Sequence, residues 1–255
     1  GSYNTAIGST PLRCNIAGCH NNAMGYQSLY SSTSGSHNNA MGYQALAANT
    51  TGCDNVAIGW RTLCKNTTGA CNTAIGHGAL CKNTTGDNNF AVGCLALYSN
   101  TEGDENVALG TAAMRDATGG DKNVGIGSWA LGNNTTGCCN VALGPNSLEG
   151  NKTGCYNIAL GAQSLYLANS GSYNFAAGHC ALYNNWGGDR NTAIGWQALK
   201  NNSTGINNTA IGYLTLASNS TGHNNVAMGN TAMYANTTGY YNNALGSGAL
   251  GNNTT

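Results

Sequence analysis

The sequence predicts an all-β chain wound as a parallel β-solenoid, or β-roll, and three observations carry that reading. The 255 residues divide into fifteen rows of 17 with no insertion or deletion. Taking a column as one position within the row, Gly opens every row from Gly1 to Gly239, Asn fills column four from Asn4 to Asn242, and Gly fills column eight from Gly8 to Gly246. Small inward-type residues in columns four, six and eight alternate with others in five and seven, which is the two-residue period of a strand. Two packed helices and their turns need about 33 residues, so a 17-residue row is too short for them. Glycines seven and ten residues apart leave no window for a stable single helix.

Taken in order along the row, N-T-A-I-G at Asn4–Gly8 reads as the strand, because strand formers dominate column five. A second short strand is expected on the Ala-Leu pair of columns eleven and twelve. Column twelve is Leu in thirteen rows and Met at Met114 and Met233. Bends are expected at column eight and at the N-x-T-G corner, since Gly and Asn tolerate positive φ. Columns seven and twelve are the only sizeable apolar positions in a row. One coil therefore cannot offset its own ordering entropy of roughly 1–2 kcal/mol per residue, and coils must stack.

Stacking turns each column into a file of like residues. The structural ladder is expected to run through Asn4, Asn21, Asn38, Asn55 and Asn72, with Gly8, Gly25 and Gly42 at the bends and Leu29, Leu46 and Leu63 as core. A buried Asn amide both donates and accepts, so a vertical file satisfies itself. A core this thin predicts that one face packs on another copy, with a homotrimer as the favoured assembly. The whole span 1–255 reads as one repeat array. With no atypical end rows, it reads as a segment of a longer fibre.

Composition excludes several function classes. Nine basic residues balance nine acidic ones and only 7% of the chain is charged. Nucleic acid and anionic membrane surfaces need a cationic surplus, so neither is an expected partner. No apolar run has the length of a membrane span, so membrane insertion is not expected. Leu, Ile, Val and Phe make up roughly 15% of residues, a disorder-like fraction that the zero net charge and the strict repeat argue against.

The string Asn-Thr-Ala-Ile-Gly at Asn4–Gly8, Asn72–Gly76 and Asn191–Gly195 resembles the head repeats of trimeric autotransporter adhesins. The longer unit at Asn39–Leu46, followed by Asn49-Thr50-Thr51-Gly52, is similar to the Asn/Gly-rich arrays of phage and virus tail fibres that precede endosialidase-type intramolecular chaperones. This resemblance spans the chain. It implies a trimerising parallel β-roll with a structural or adhesive role at an extracellular, cell-surface or virion location.

Eleven cysteines are the main chemical feature. Cys64 and Cys81 share column thirteen of successive rows and Cys138 and Cys155 share column two, so stacking places each pair within disulfide reach. Cys53 with Cys71, and Cys14 with Cys19, are looser candidates. Reduced thiols and metal ligation are the competing readings, and no C-x-x-C pair favours a metal. No metal or cofactor is assigned. Asp87, Asp104 and Asp121 stack in column two and read as solvated corner residues in preference to a Ca²⁺ row. His20 and His37 stack in column three, and with no Ser or Cys nucleophile and acid to join them the histidines form no catalytic set, so no enzyme is expected.

Tyr26, Tyr43, Trp60 and His77 fill column nine of four consecutive rows. Ring-on-ring stacking explains them; a column that reads cell-surface glycans through Tyr26, Tyr43 and Trp60 is the alternative. The sequons at Asn66, Asn83 and Asn236 arise from the repeat itself. The leading expectation is the non-enzymatic shaft of a fibre, with a glycan-binding adhesin module second. An ice-binding solenoid comes third, because Thr forms no regular two-wide array.

Overall fold

A computed structural model describes all residues, 1–255. It is a β-solenoid without helix, one coil per 17-residue row. The chain forms two compact units, Gly1–Asn123 and Val124–Thr255. Each row contributes one three-residue strand, from β1 (Thr5–Ile7) to β7 (Val107–Leu109) in the first unit and from β8 (Val124–Ile126) to β15 (Asn243–Leu245) in the second. Within each unit, strands pair in chain order, parallel and in strict register. Val56 faces Thr73, Ala57 faces Ala74 and Ile58 faces Ile75, which is a shift of one whole row.

The remainder of the coil departs from the sequence expectation. Columns nine to fifteen form turns, and no second strand exists at the Ala-Leu pair. Row three shows why. Gly42 has φ +135°, Gln44 +53° and Leu46 +52°, while the residues between them keep negative φ. This alternation curls the chain in a way no extended strand can. Its hydrogen bonds run to both neighbouring coils: the Gln44 N–H donates to the Tyr26 carbonyl at 2.8 Å, and the Leu46 N–H to the Thr62 carbonyl at 3.0 Å. One bond closes the turn within the coil, from the Asn49 N–H to the Leu46 carbonyl at 3.1 Å. A bulky residue in the left-handed region costs roughly 1–2 kcal/mol, so each coil carries local strain that its neighbours' hydrogen bonds must outweigh.

Side-chain placement follows. Column six Ala and column twelve Leu or Met are fully buried across the interior rows, as at Ala57, Leu63 and Met114. Column four Asn is buried too, as expected. Column seven points outward, as the strand alternation implies: Ile58 and Ile75 are each 37% exposed and Met41 is 43% exposed. Strand alternation sends columns five and seven outward, so the coil interior has one file of large apolar side chains, not two.

The two glycine columns act for different reasons. Column eight needs its positive φ, but the column-one glycines have no positive φ. A Cβ at Gly52 would collide with the Gly69 carbonyl and the Asn49 amide, so close backbone approach requires Gly there.

Gly42→Ala would force an L residue into φ +135° and drive its Cβ into the Gly59 backbone. We expect a loss of about 2–3 kcal/mol in urea unfolding. Gln197→Gly, at a left-handed position with φ +54°, should change stability by no more than about 1 kcal/mol. Equal losses would show that the φ alternation does not set the stability.

Candidate functional site

The polar corner is the most organised assembly in the chain. In row three, Asn38 and Asn49 both donate their Nδ2 to one acceptor, the carbonyl of Gly52, at 2.8 and 2.9 Å. Asn38 Oδ1 accepts the backbone N–H of Asn55 at 3.0 Å. Asn49 Oδ1 accepts from Asn66 Nδ2 at 2.8 Å, and Asn66 Oδ1 from Asn83 Nδ2 at 2.8 Å. The predicted ladder residues Asn21, Asn38, Asn55 and Asn72 are all buried within this network, and Asn4, in the first row, is half-buried.

The ladder's gaps mark its logic. Column fifteen is Asn except at Ser32, Ala117 and Ala168. The buried Asn oxygens without a donor are Asn15 Oδ1, Asn100 Oδ1 and Asn151 Oδ1, each one row before a gap. The sequons sit in the same file: Asn66, Asn83 and Asn236 are fully buried, so in the folded coil these amides serve the ladder.

Column two has a role that sequence reasoning missed. Its side chain accepts the column-two backbone N–H of the preceding row. Cys138 N–H donates to Cys155 Sγ at 3.1 Å, Cys155 N–H to Ser172 Oγ at 3.0 Å, and Ser172 N–H to Asp189 Oδ1 at 2.8 Å. Asp87 and Asp104 likewise accept from the N–H groups of Ala70 and Asp87 at 2.7 Å each. Ser, Cys and Asp share one property here, an acceptor atom at the γ or δ position. Their interchange within one column was the available signal. The stacked carboxylates therefore work as backbone acceptors, and no group of three or more His, Cys, Asp or Glu is arranged to hold a metal.

All eleven cysteines are free thiols. Two of the four candidate pairs come together: Cys64 Sγ lies 3.0 Å from Cys81 Sγ, and Cys138 Sγ 2.8 Å from Cys155 Sγ. The others do not. Cys53 Sγ donates to the Thr51 carbonyl and Cys19 Sγ to the Ala17 carbonyl, while Cys71 and Cys14 are exposed. A hydrogen bond from Cys81 holds the Cys64 thiol down to about 6, aided by the Arg61 charge and opposed by burial. The same bond and burial push Cys81 up. Cys138, donor to Cys155, is pushed up to about 12.

The aromatic file stacks on itself. Tyr26–Tyr43, Tyr43–Trp60 and Trp60–His77 have centroids 5.2, 6.2 and 4.6 Å apart with planes within 11° of parallel. The rings cover one another's faces and turn their edges to solvent. His20 lies between Tyr3 and His37 in the same manner, at 4.9 and 5.1 Å.

In the first unit charge is sorted by column. Five of its six cations, Arg13, Arg61, Lys65, Lys82 and Arg115, lie in columns ten to fourteen. Six of its seven carboxylates lie at the opposite corner, in columns seventeen, two and three. Asp116, the exception, is bound by Arg115 at 2.7 and 2.9 Å.

Comparison with protein-family models, with curated proteins and with solved structures finds no match in any of the three. No helix is long and apolar enough to cross a membrane. The class that fold and site define is a parallel β-solenoid with an amide-laddered polar corner.

Ala168→Asn, which bridges the gap between Asn151 and Asn185, should raise unfolding stability by about 1–2 kcal/mol by pairing an orphaned acceptor. No gain would count against the ladder as a stabilising element. With glutathione disulfide accepting the electrons and thiol protons, Cys64–Cys81 and Cys138–Cys155 should be the cross-links found by non-reducing peptide mapping. The thiolate is the attacking species, so Cys64 stays reactive down to about pH 6 and loses reactivity as pH falls through that value. Cys138, at about 12, should contribute little thiolate at neutral pH. Random pairing, or identical pH profiles at the two sites, would refute this assignment.

Proposed function

We propose that the chain is a non-enzymatic shaft segment of an extracellular or virion fibre, assembled from three parallel copies. The observation that carries this reading is the outer face of the sheet. Columns five and seven contain no charged residue in any of the fifteen rows. Column seven is apolar throughout, and Met24, Met41, Ile58, Ile75 and Leu109 stand exposed along the first unit. The second unit presents Leu143, Ile194 and Leu245 in the same way. Continuous apolar surface of this kind marks an interaction site, since monomeric proteins rarely leave more than a few hundred Å² exposed. A second copy suits it, because the partner's identical face carries the same apolar column-seven file and is equally free of charge. The number three rests on the resemblance to trimeric adhesin heads.

The ice-binding alternative finds less support. Thr occupies column five only at Thr5, Thr73, Thr192 and Thr209, and column seven has none.

Sedimentation equilibrium tests the proposal. The native chain should sediment at three times its 25.9 kDa. Met41→Glu combined with Ile58→Glu and Ile75→Glu should give the single-chain mass with an unchanged far-ultraviolet spectrum. A native chain that stays at single-chain mass would overturn lateral assembly, and a dimer would correct the number.

A further inference from the structure

One row in the first unit breaks the turn pattern. Column ten carries Gln27, Gln44 and Arg61 in rows two to four and Leu95 in row six, but Gly78 in row five. A Cβ built on Gly78 would meet Leu95 Cδ2 at 3.1 Å and the Tyr98 ring at 3.6 Å. The missing side chain therefore opens a cavity of about 450 Å³ with Leu95 and Tyr98 on one wall. That lies within the usual range of small-ligand sites, roughly 300–1,000 Å³.

The other wall is the end of the aromatic file. His77 stacks on Trp60 through one face, and the next residue in its column is Cys94, so no ring covers the other face. It is the one terminus of that file that opens on the cavity. Three cations border it, of which Arg115 is paired with Asp116. The Arg61 guanidinium sits 5.2 Å from the Trp60 ring centroid and also faces the Cys64 thiol, the Lys82 ammonium sits 5.0 Å from the Tyr98 centroid, and neither cation has a carboxylate partner. The Asp116 carboxylate on the rim is held by Arg115, which leaves it an oriented acceptor.

We propose that this cavity binds one acidic sugar of a glycan, a pyranose bearing a carboxylate. Its C–H face lies against the His77 ring where that ring borders the cavity, its carboxylate lies between Arg61 and Lys82, and its ring hydroxyls donate to Asp116. A face for stacking, two cations without a carboxylate partner and a separate acceptor are the complement of a ring with an anion at one end and hydroxyls along the other. A neutral sugar leaves both cations unused. An aromatic nucleotide could stack, but its phosphates would face Asp116 as well as the cations. This inference concerns a site on the turn side of the coil, and it stands or falls separately from assembly through the sheet face.

The column supplies its own control. Gly78 has φ +66°, and Gln occupies this column with similar φ at Gln27 and Gln44. Gly78→Gln thus fills the cavity with a residue the turn already accepts. Calorimetric titration of the full chain would use oligogalacturonate, a neutral galactose oligomer of equal length, and ADP. Saturable binding of oligogalacturonate alone is expected, reduced at least tenfold by Gly78→Gln and by Arg61→Gln with Lys82→Gln, at unchanged unfolding midpoint. Absence of binding, equal binding of the neutral oligomer, preference for ADP, or full affinity in Gly78→Gln would each overturn the assignment.

Discussion

The structure depends on one shared acceptor. Each interior column-one Gly carbonyl takes hydrogen bonds from amides belonging to the coil before it, as the Gly52 carbonyl does from Asn38 and Asn49. That geometry ties the corner of one coil to two side chains of another, and it forbids a Cβ at the Gly because the approach is so close. It also explains the composition. Asn is abundant because most coils spend two amides on the bridge, and column-one Gly is invariant along the chain because any side chain would push the coils apart. A buried amide that lost its partner would cost about 1–3 kcal/mol, so the network tolerates few interruptions. The three gaps it does contain leave their unpaired acceptors where the ladder logic puts them.

Strain sets the second constraint. A coil with left-handed positions at columns three, ten and twelve as well as column eight has little to hold it alone, and its one to three internal turn bonds are weak compensation. Nearly every other backbone bond reaches a neighbouring coil. Order in one coil is thus contingent on order in the next, which is the nearest-neighbour behaviour of repeat proteins in an extreme form. The left-handed Leu of column twelve shows how far this goes: full burial under its neighbours outweighs a backbone conformation that Leu alone avoids.

Much of this was legible in the sequence. The row length, the parallel stacking, the inward Asn and Ala files and the core Leu file follow from periodicity alone, and so do the two cysteine pairs that meet. The second strand was misread because Ala-Leu alternation resembles a strand in letters, while the sign of φ at Gln44 and Leu46 has no letter. The outward turn of column seven follows from the same two-residue alternation, since a strand of only three residues buries just the middle one. The column-two acceptor role was hidden because Ser, Cys and Asp rarely substitute for each other, and only the coil-to-coil N–H shows what they share. The cavity at Gly78 was invisible as well. A glycine among 38 draws no notice until the neighbours that lean toward it are placed.

These properties divide the coil into two kinds of position. Columns one, four, six, eight, twelve and fifteen answer to the interior and vary little. The outward columns meet solvent and the same column of adjacent coils, so a change there propagates no further than one row. That separation lets a monotonous scaffold carry local chemistry: a thiol pair at Cys64 and Cys81, a ring stack that ends at His77, an opening at Gly78, cations gathered on one side and carboxylates on the other. Each feature needs two or three residues one row apart, and the stacking distance does the positioning. A fold held by its corners can therefore acquire a site through single substitutions on its turns, without any adjustment of the ladder that keeps it standing.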